Sequence, residues 1–324
     1  MEETRIERVT RPAGAIEALR PVAEAARDYA AHAKAENTLR AYRGDWRDFE
    51  TWTAAHALEA LPATPETVAL YAAALASRAK VATIRRRLAT ISGAHRAAGF
   101  DSPTSSPAVR AVVSGIRREK GDAQTRKAPA VTGTIRRMAD ALPAGLAGIR
   151  DRALLLVGFA GAFRRSELVG LRLEDVEFPP EGLVLTLRRS KTDQEGKGER
   201  VAIPHGANPE TCPVRALEAW IREAGISEGP VFRPVTRHGA VGAEALSPEA
   251  VAVVVKRSAS RVGLDPGTFS GHSLRAGFAT AAAQAEVPEW RIMRQTRHRS
   301  RAILDRYIRE ANLFKRNAAA AVGL

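Results

Sequence analysis

Ser270-Gly271-His272-Ser273-Leu274-Arg275, an alanine-rich run to Gln284, Trp290 to His298, and Ile303 to Ile308 around Tyr307 together gather most of the side chains that read as chemistry and not packing. Their spacing is helical. His272 and Arg275 stand three residues apart, which on a helix projects both from one face, and Gly271 ahead of them lets another backbone come close. His298 and Tyr307 stand nine apart, about two and a half helical turns, and a short turn over 297–301 folds the second back toward the first. One guanidinium, two imidazoles and a phenol then face a single point, a set suited to a phosphate. Taken singly, each has a plainer reading. In a chain with 50 Lys and Arg an H-x-x-R pair reads as a solvated face. His298 in Thr-Arg-His-Arg-Ser reads as a loop histidine, and Tyr307 beside Leu304 and Ile308 as core with its hydroxyl at the rim. The weight lies in the set, and the set has members upstream.

Composition narrows the partners. A chain of 324 residues is long enough for two domains, and 45% hydrophobic with 27% charged residues is an ordinary globular balance. A net charge of +14 and a pI near 10.7 are not ordinary, and such a field attracts polyanions, nucleic acid first and anionic membrane second. No apolar run approaches the length of a membrane span, and Met1 to Arg11 is charged and unlike a signal peptide. The expectation is a cytoplasmic protein that acts on nucleic acid, with no membrane. Cys212 is the only cysteine, which excludes an intrachain disulfide and a cysteine-rich zinc site. The histidines lack ligand spacing, and Glu174, Asp175 and Glu177 read as a loop or strand edge, not as the dispersed carboxylates of a two-metal nuclease. Chemistry without metal or cofactor is expected.

Residues 1–20 carry no periodic pattern and read as a flexible lead-in to a helical domain over 21–118. Asn37 is placed as a helix cap, with Leu39, Tyr42, Trp46, Phe49 and Thr53 as one buried stripe. Thr64-Pro65 starts a second helix that buries Val68, Tyr71, Ala72 and Leu75. A third, about 81–98, buries Val81, Ile84, Leu88 and Ile91 and carries Arg85, Arg86, Arg87 and Arg96 on its other side. Residues 1–77 hold 9 Lys and Arg against 12 Asp and Glu, net −3, whereas 78–126 hold 11 against 3, net +8. One arginine triplet alone reads as a solvated face; this swing favours a DNA-facing side that includes Arg117 and Arg118.

A polar, basic linker over 119–130 follows, and then a second domain over 131–324. It opens with helices at 132–141 and 148–159, the latter apolar nearly all round. Gly-Ala-Phe-Arg-Arg-Ser-Glu-Leu (161–168) ends that buried helix and presents an arginine pair at the next, with Glu167 three residues after Arg164, where it can hold a guanidinium. Alternation over 183–188 and 200–203 around a polar turn reads as a hairpin with Lys191 near its tip.

With Arg164, Lys191, His272, Arg275, His298 and Tyr307 assembled, the sequence resembles the tyrosine recombinase family, the phage integrases and Xer-type recombinases, over nearly its whole length. Phe-Arg-Arg-Ser-Glu-Leu resembles the family's first arginine box, Ser-Lys-Thr-Asp-Gln its hairpin lysine, His-Ser-Leu-Arg its second box, and His298 with Tyr307 its third. Arg164 is preferred to Arg165 because the family's arginine stands three residues before the glutamate. Arg297 departs from the pattern, since the family usually has glycine before that histidine. The resemblance implies a mainly α (α+β) fold, a SAM-like helical core-binding domain and a mostly helical catalytic domain with a small sheet, closing as a clamp on duplex DNA. It implies attack by Tyr307 on the scissile phosphate to leave a 3′-phosphotyrosyl link, with Arg164 and Arg275 clamping the phosphate oxygens. Lys191 would be the general acid, His272 would assist proton transfer at Tyr307, and His298 would donate to the phosphate. It also implies a homo-tetramer on two sites with the tail helix 311–324 exchanged between protomers, and accessory DNA-bending proteins as possible partners. The short lead-in suits a recombinase without an extra arm-binding domain. Two rivals stand beside this reading, a catalytically silent DNA-binding regulator of the same fold and a type IB topoisomerase.

Overall fold

The Thr64 hydroxyl accepts a hydrogen bond from the Thr67 amide at 3.1 Å, with Pro65 at the first helical position; Ser106 and Pro107 repeat the device on the Ala108 amide at 3.3 Å. Each pair satisfies an amide that no helical carbonyl reaches. The computed structural model describes residues 36–121, 127–188 and 198–311, with positions 19, 22, 24, 25 and 322. It divides into two units, 1–124 and 125–324.

The first unit is built from α1 (Glu36–Ala55), α2 (Pro65–Ala76), α3 (Val81–Ala97) and α4 (Pro107–Lys120). Phe49, Val68, Tyr71, Leu75, Ile84 and Ile91 form its centre, with the Phe49 and Tyr71 rings edge to face at 4.9 Å. The expected stripes of α2 and α3 are thus buried. Asn37 lies inside α1 and does not cap it; Ala33-Lys34-Ala35-Glu36 ahead of it are good helix formers, so nothing in the sequence stops the helix there. Buried His95 accepts from the Ala63 amide through Nε2 (2.8 Å) and donates from Nδ1 to the Ile91 carbonyl (2.9 Å), tying α3 to the entry of α2.

The arginines of α3 do not all face outward. Arg86 pairs with Asp45 at 2.8 Å, and Arg87 with Asp48, which also takes Tyr71 and Arg78. Both aspartates belong to α1. The excess charge of 78–126 is therefore partly neutralised by the acidic half of the same unit, and Arg87, mostly buried, is structural. Arg85, Arg96, Arg117 and Arg118 are exposed.

The expected linker is shorter than 119–130. Residues 119 and 120 finish α4, while the Ala128 amide donates to the Thr268 carbonyl (2.8 Å) and the Ala130 amide to that of Ser273 (2.9 Å). Ala130 is fully buried within the second unit, since backbone so paired is satisfied away from water. Residues 122–126 lie outside the described set.

The second unit contains α5 (Thr132–Asp140), α6 (Leu146–Ala160), α7 (Arg165–Val169), strands β1 (Val176–Glu177), β2 (Gly182–Leu187) and β3 (Glu199–Pro204), then α8 (Pro213–Glu223), α9 (Pro248–Arg261), α10 (His272–Gln284), α11 (Glu289–Thr296) and α12 (Arg301–Ala311). The antiparallel sheet has the order β1-β2-β3, with Leu183 opposite Ile203 and Leu185 opposite Val201. Those four side chains are buried, so the alternation seen in the sequence sets the register. Apolar α6 runs through the core. A side chain at Gly158 would come within 2.8 Å of Leu274 and 3.0 Å of Leu168, so α6 packs closely on α10 and α7 and fixes the two arginine motifs against each other. Among the described residues no helix is long and apolar enough to cross a membrane.

Candidate active site

Glu167 holds the first motif in place. Its Oε2 accepts from the Arg164 amide (2.9 Å), closing the first turn of α7, and Oε1 takes the Arg164 guanidinium. Burial opposes ionisation of this carboxyl, but Arg297, the Arg164 amide and the Arg164 charge hold it below its ordinary value. Arg164, and not Arg165, is therefore the arginine that Glu167 grips. The Arg165 stem lies across Gly271, so the close approach that glycine permits is to a side chain and not to a backbone.

Arg275 stands in the first turn of α10 with 1% of its surface exposed. Its Nη1 donates to the Ala162 carbonyl (2.8 Å), while Nη2 is buried without a hydrogen-bond partner among the described residues. Burial, then Arg164 and Arg297, push its pKa down to about 9, which leaves it charged at neutral pH and short of an anion. His272 opens the same turn and is exposed, its Nε2 3.1 Å from the Tyr307 hydroxyl. Burial and then Arg275 and Arg164 lower the His272 pKa, so the neutral ring can accept the phenolic proton.

The turn after α11 delivers the rest. His298 stacks on Tyr307, ring centroids 6.0 Å apart. The Thr296 hydroxyl gives its hydrogen to the Ile292 carbonyl (2.7 Å), so it accepts from His298 Nδ1 at 2.9 Å and fixes the proton there. Burial, then Arg275 and Arg164, push the His298 pKa down to about 3. In the DNA-free protein His298 Nε2 therefore carries no proton, and donation from it to a phosphate needs proton uptake when the anion arrives. Half-buried Tyr307 packs against the small cluster of Ala279, Ala283, Ile292 and Leu304 on α10, α11 and α12.

Five of the six expected catalytic residues thus converge from three separate segments. Lys191, expected near the tip of a hairpin, lies outside the described residues, as does the tail over 312–321 and 323–324. Among the described residues no three or more His, Cys, Asp or Glu group as a metal site would.

Residues 133–313 match the phage integrase family, and residues 28–98 match the phage integrase N-terminal SAM-like domain. The chain belongs to the phage integrase family. It is 48% identical over 289 residues, 88% of its length and 85% of the relative's, to an integrase/recombinase XerD homolog of Selenomonas ruminantium. It is 26% identical to the recombinase Cre of Escherichia phage P1, over 85% of this chain and 84% of that one. Its fold resembles that of a lambda integrase dimer bound to a core site, with a TM-score of 0.59 at 15% identity, over 93% of this chain and 81% of that one. This integrase is a site-specific tyrosine recombinase, cutting and rejoining DNA through a phosphotyrosyl intermediate.

Two integrase residues escaped the sequence reading. Arg297, noted only as a departure, is buried and bonded to Glu167 and to the carbonyls of Gly161 and Ala162. Thr296 sets the tautomer of His298. Neither belongs to a motif, and only the left-handed turn at Arg297 brings them to the site.

Proposed function

We propose that Tyr307 is the nucleophile of this recombinase. Its oxygen bonds to the scissile phosphorus as the bond to the 5′-oxygen breaks, its proton passes to His272, and Lys191 protonates the departing 5′-oxygen. Arg164 and Arg275 bind the non-bridging oxygens as their charge grows. The observation that carries this reading is the 3.1 Å contact between His272 and the Tyr307 hydroxyl, made beside a buried guanidinium whose Nη2 has no partner among the described residues. The phosphotyrosine conserves the bond energy, and a free 5′-hydroxyl of another duplex reverses the step. The test is to trap the adduct on a nicked site in EDTA, digest it and map the nucleotide-bearing peptide. A nucleotide on any other residue, or an adduct that forms only with added magnesium, overturns the reading. Relaxation of a supercoiled plasmid lacking the cognate site would instead point to topoisomerase activity.

We further propose a cytoplasmic protein that works as a tetramer on two sites, its tail over 311–324 exchanged between protomers. Leu313, Phe314 and Val322 are the tail's few apolar anchors, and Val322 is 68% exposed on the single chain. An isolated helix of this length is marginal in water and gains stability by docking. Truncation after Ala311 is expected to leave single-site binding nearly intact and to abolish cooperative occupancy of paired sites. Undiminished cooperativity in a gel-shift titration would assign assembly to other surfaces.

Arg96 and Arg118 are the better candidates for phosphate contacts in the first unit, because Arg86 and Arg87 are engaged by Asp45 and Asp48. Replacing both with alanine should reduce the slope of log K against log salt by about 0.9 per lost contact. An unchanged slope would return this face to solvent.

A further inference from the structure

Arg297 closes α11 in the left-handed conformation, φ 56° and ψ 39°. That backbone is strained for arginine and open to glycine. The side chain supplies a reason for the residue. It is 5% exposed, and its guanidinium carbon lies 5.0 Å from the centroid of the Phe163 ring. Nη1 donates to the carbonyls of Gly161 (2.9 Å) and Gln295 (2.8 Å), and Nη2 to the Ala162 carbonyl (3.1 Å) and Glu167 Oε2 (2.9 Å). Three of these contacts, with Gly161, Ala162 and Phe163, fall on the residues immediately before Arg164. A fourth falls on the carboxylate that grips it.

We propose that Arg297 is a positioning residue for the strand-cleavage step, fixing Arg164 through Glu167 and registering both phosphate-clamping guanidiniums against the turn that carries His298. The link to Arg275 is the Ala162 carbonyl, which takes both Arg297 Nη2 and Arg275 Nη1. This inference rests on the reading of Arg164 and Arg275 as the phosphate clamp. Arginine suits the role because its planar fork serves four acceptors at once, which a single ammonium cannot match. Removing it also alters charge. Glu167 is faced by Arg164 at its own helix cap, by Arg297 from the turn after α11 and by Arg275 from α10. Burial pushes the carboxyl up, and Arg297 is the largest of the opposing influences that bring it below its ordinary value.

The test is single-turnover cleavage of a nicked site by the full-length protein and its Arg297→Gly and Arg297→Lys variants, from about pH 5 to about pH 8. DNA affinity and thermal melting are measured alongside. Glycine keeps the left-handed turn and removes the whole side chain, stem and guanidinium together, which is why melting is measured beside the rate. Arg297→Gly is expected to bind DNA within about threefold of wild type and to cleave on the order of 100-fold more slowly. Its acid limb should move to higher pH, because Glu167 without Arg297 takes a proton at higher pH and releases Arg164. Arg297→Lys keeps the charge and loses the fork, so it should cleave about tenfold more slowly with the acid limb near that of wild type. Equal losses at every pH in both variants would reduce Arg297 to a brace for the turn and overturn the proposal. So would cleavage at the wild-type rate by either variant. If Arg297→Gly does not melt cooperatively, the rate and acid limb of Arg297→Lys decide alone. Failure of the wild-type protein to form an adduct through Tyr307 would sink the parent reading instead.

Discussion

A Tyr307→Phe protein is expected to bind its DNA site as wild type does and to form no covalent complex. The substitution deletes one oxygen. The ring stays packed among Ala279, Ala283, Ile292 and Leu304, and its stacking on His298 at 6.0 Å does not involve the hydroxyl. The hydrogen bond to His272 at 3.1 Å goes with the hydroxyl, and such a bond contributes about 1 kcal/mol to folding. The folded protein should therefore melt close to wild type. Cleavage has no comparable reserve, because without the phenolic oxygen the phosphorus has no attacking group on the chain. On a nicked substrate, where the released fragment diffuses away, wild type should accumulate a DNA-linked band on a denaturing gel and the variant none. A persistent band would show that another residue is the nucleophile.

The convergence of these side chains was legible because they occupy helix starts and short turns, where spacing converts directly into geometry. His272 and Arg275 fall in the first turn of α10, and Arg164 with Glu167 across the first turn of α7, as three-residue spacing requires. The strand pair was legible for the same reason, since alternation puts Leu183, Leu185, Val201 and Ile203 on one face, and a one-residue slip would expose a strand's apolar set. Long-range pairing was not. That Arg86 and Arg87 face Asp45 and Asp48 depends on how α3 packs on α1, and sequence shows only that one segment is basic and the other acidic. The linker was overestimated because Ala128 and Ala130 look like strap residues until their amides find Thr268 and Ser273, 140 and 143 positions away. Arg297 was seen as a disturbance of a glycine turn. The turn forms as glycine would make it, and what sequence could not show is that the guanidinium bridges back to Glu167, 130 residues earlier.

Arg275→Ala should separate stability from catalysis more sharply than any other change to the clamp. In the free protein this guanidinium is buried, its Nη2 without a partner among the described residues and Arg164 and Arg297 close by, an arrangement that burial and like charge both disfavour. Its loss removes a packed stem, which destabilises, and also that desolvation and repulsion, which stabilises. Ala162, its one bonded carbonyl, keeps Arg297 Nη2 at 3.1 Å, so no acceptor is left orphaned. The two effects oppose each other, and the melting temperature should stay within about 4 °C of wild type, the equivalent of about 1 kcal/mol in a domain of this size. Cleavage should fall on the order of 1,000-fold, because a donor aimed at developing phosphate charge acts on the transition state in a site shielded from water. Binding of intact DNA, carried by many phosphate contacts, should weaken only a few fold. Arg275→Lys should recover little, since one ammonium cannot replace a fork that holds Ala162 and a phosphate oxygen together. The checks are thermal melting, gel-shift affinity and single-turnover cleavage on one preparation. A loss of cleavage that tracks an equal loss of DNA affinity would make Arg275 a binding residue and remove it from the clamp.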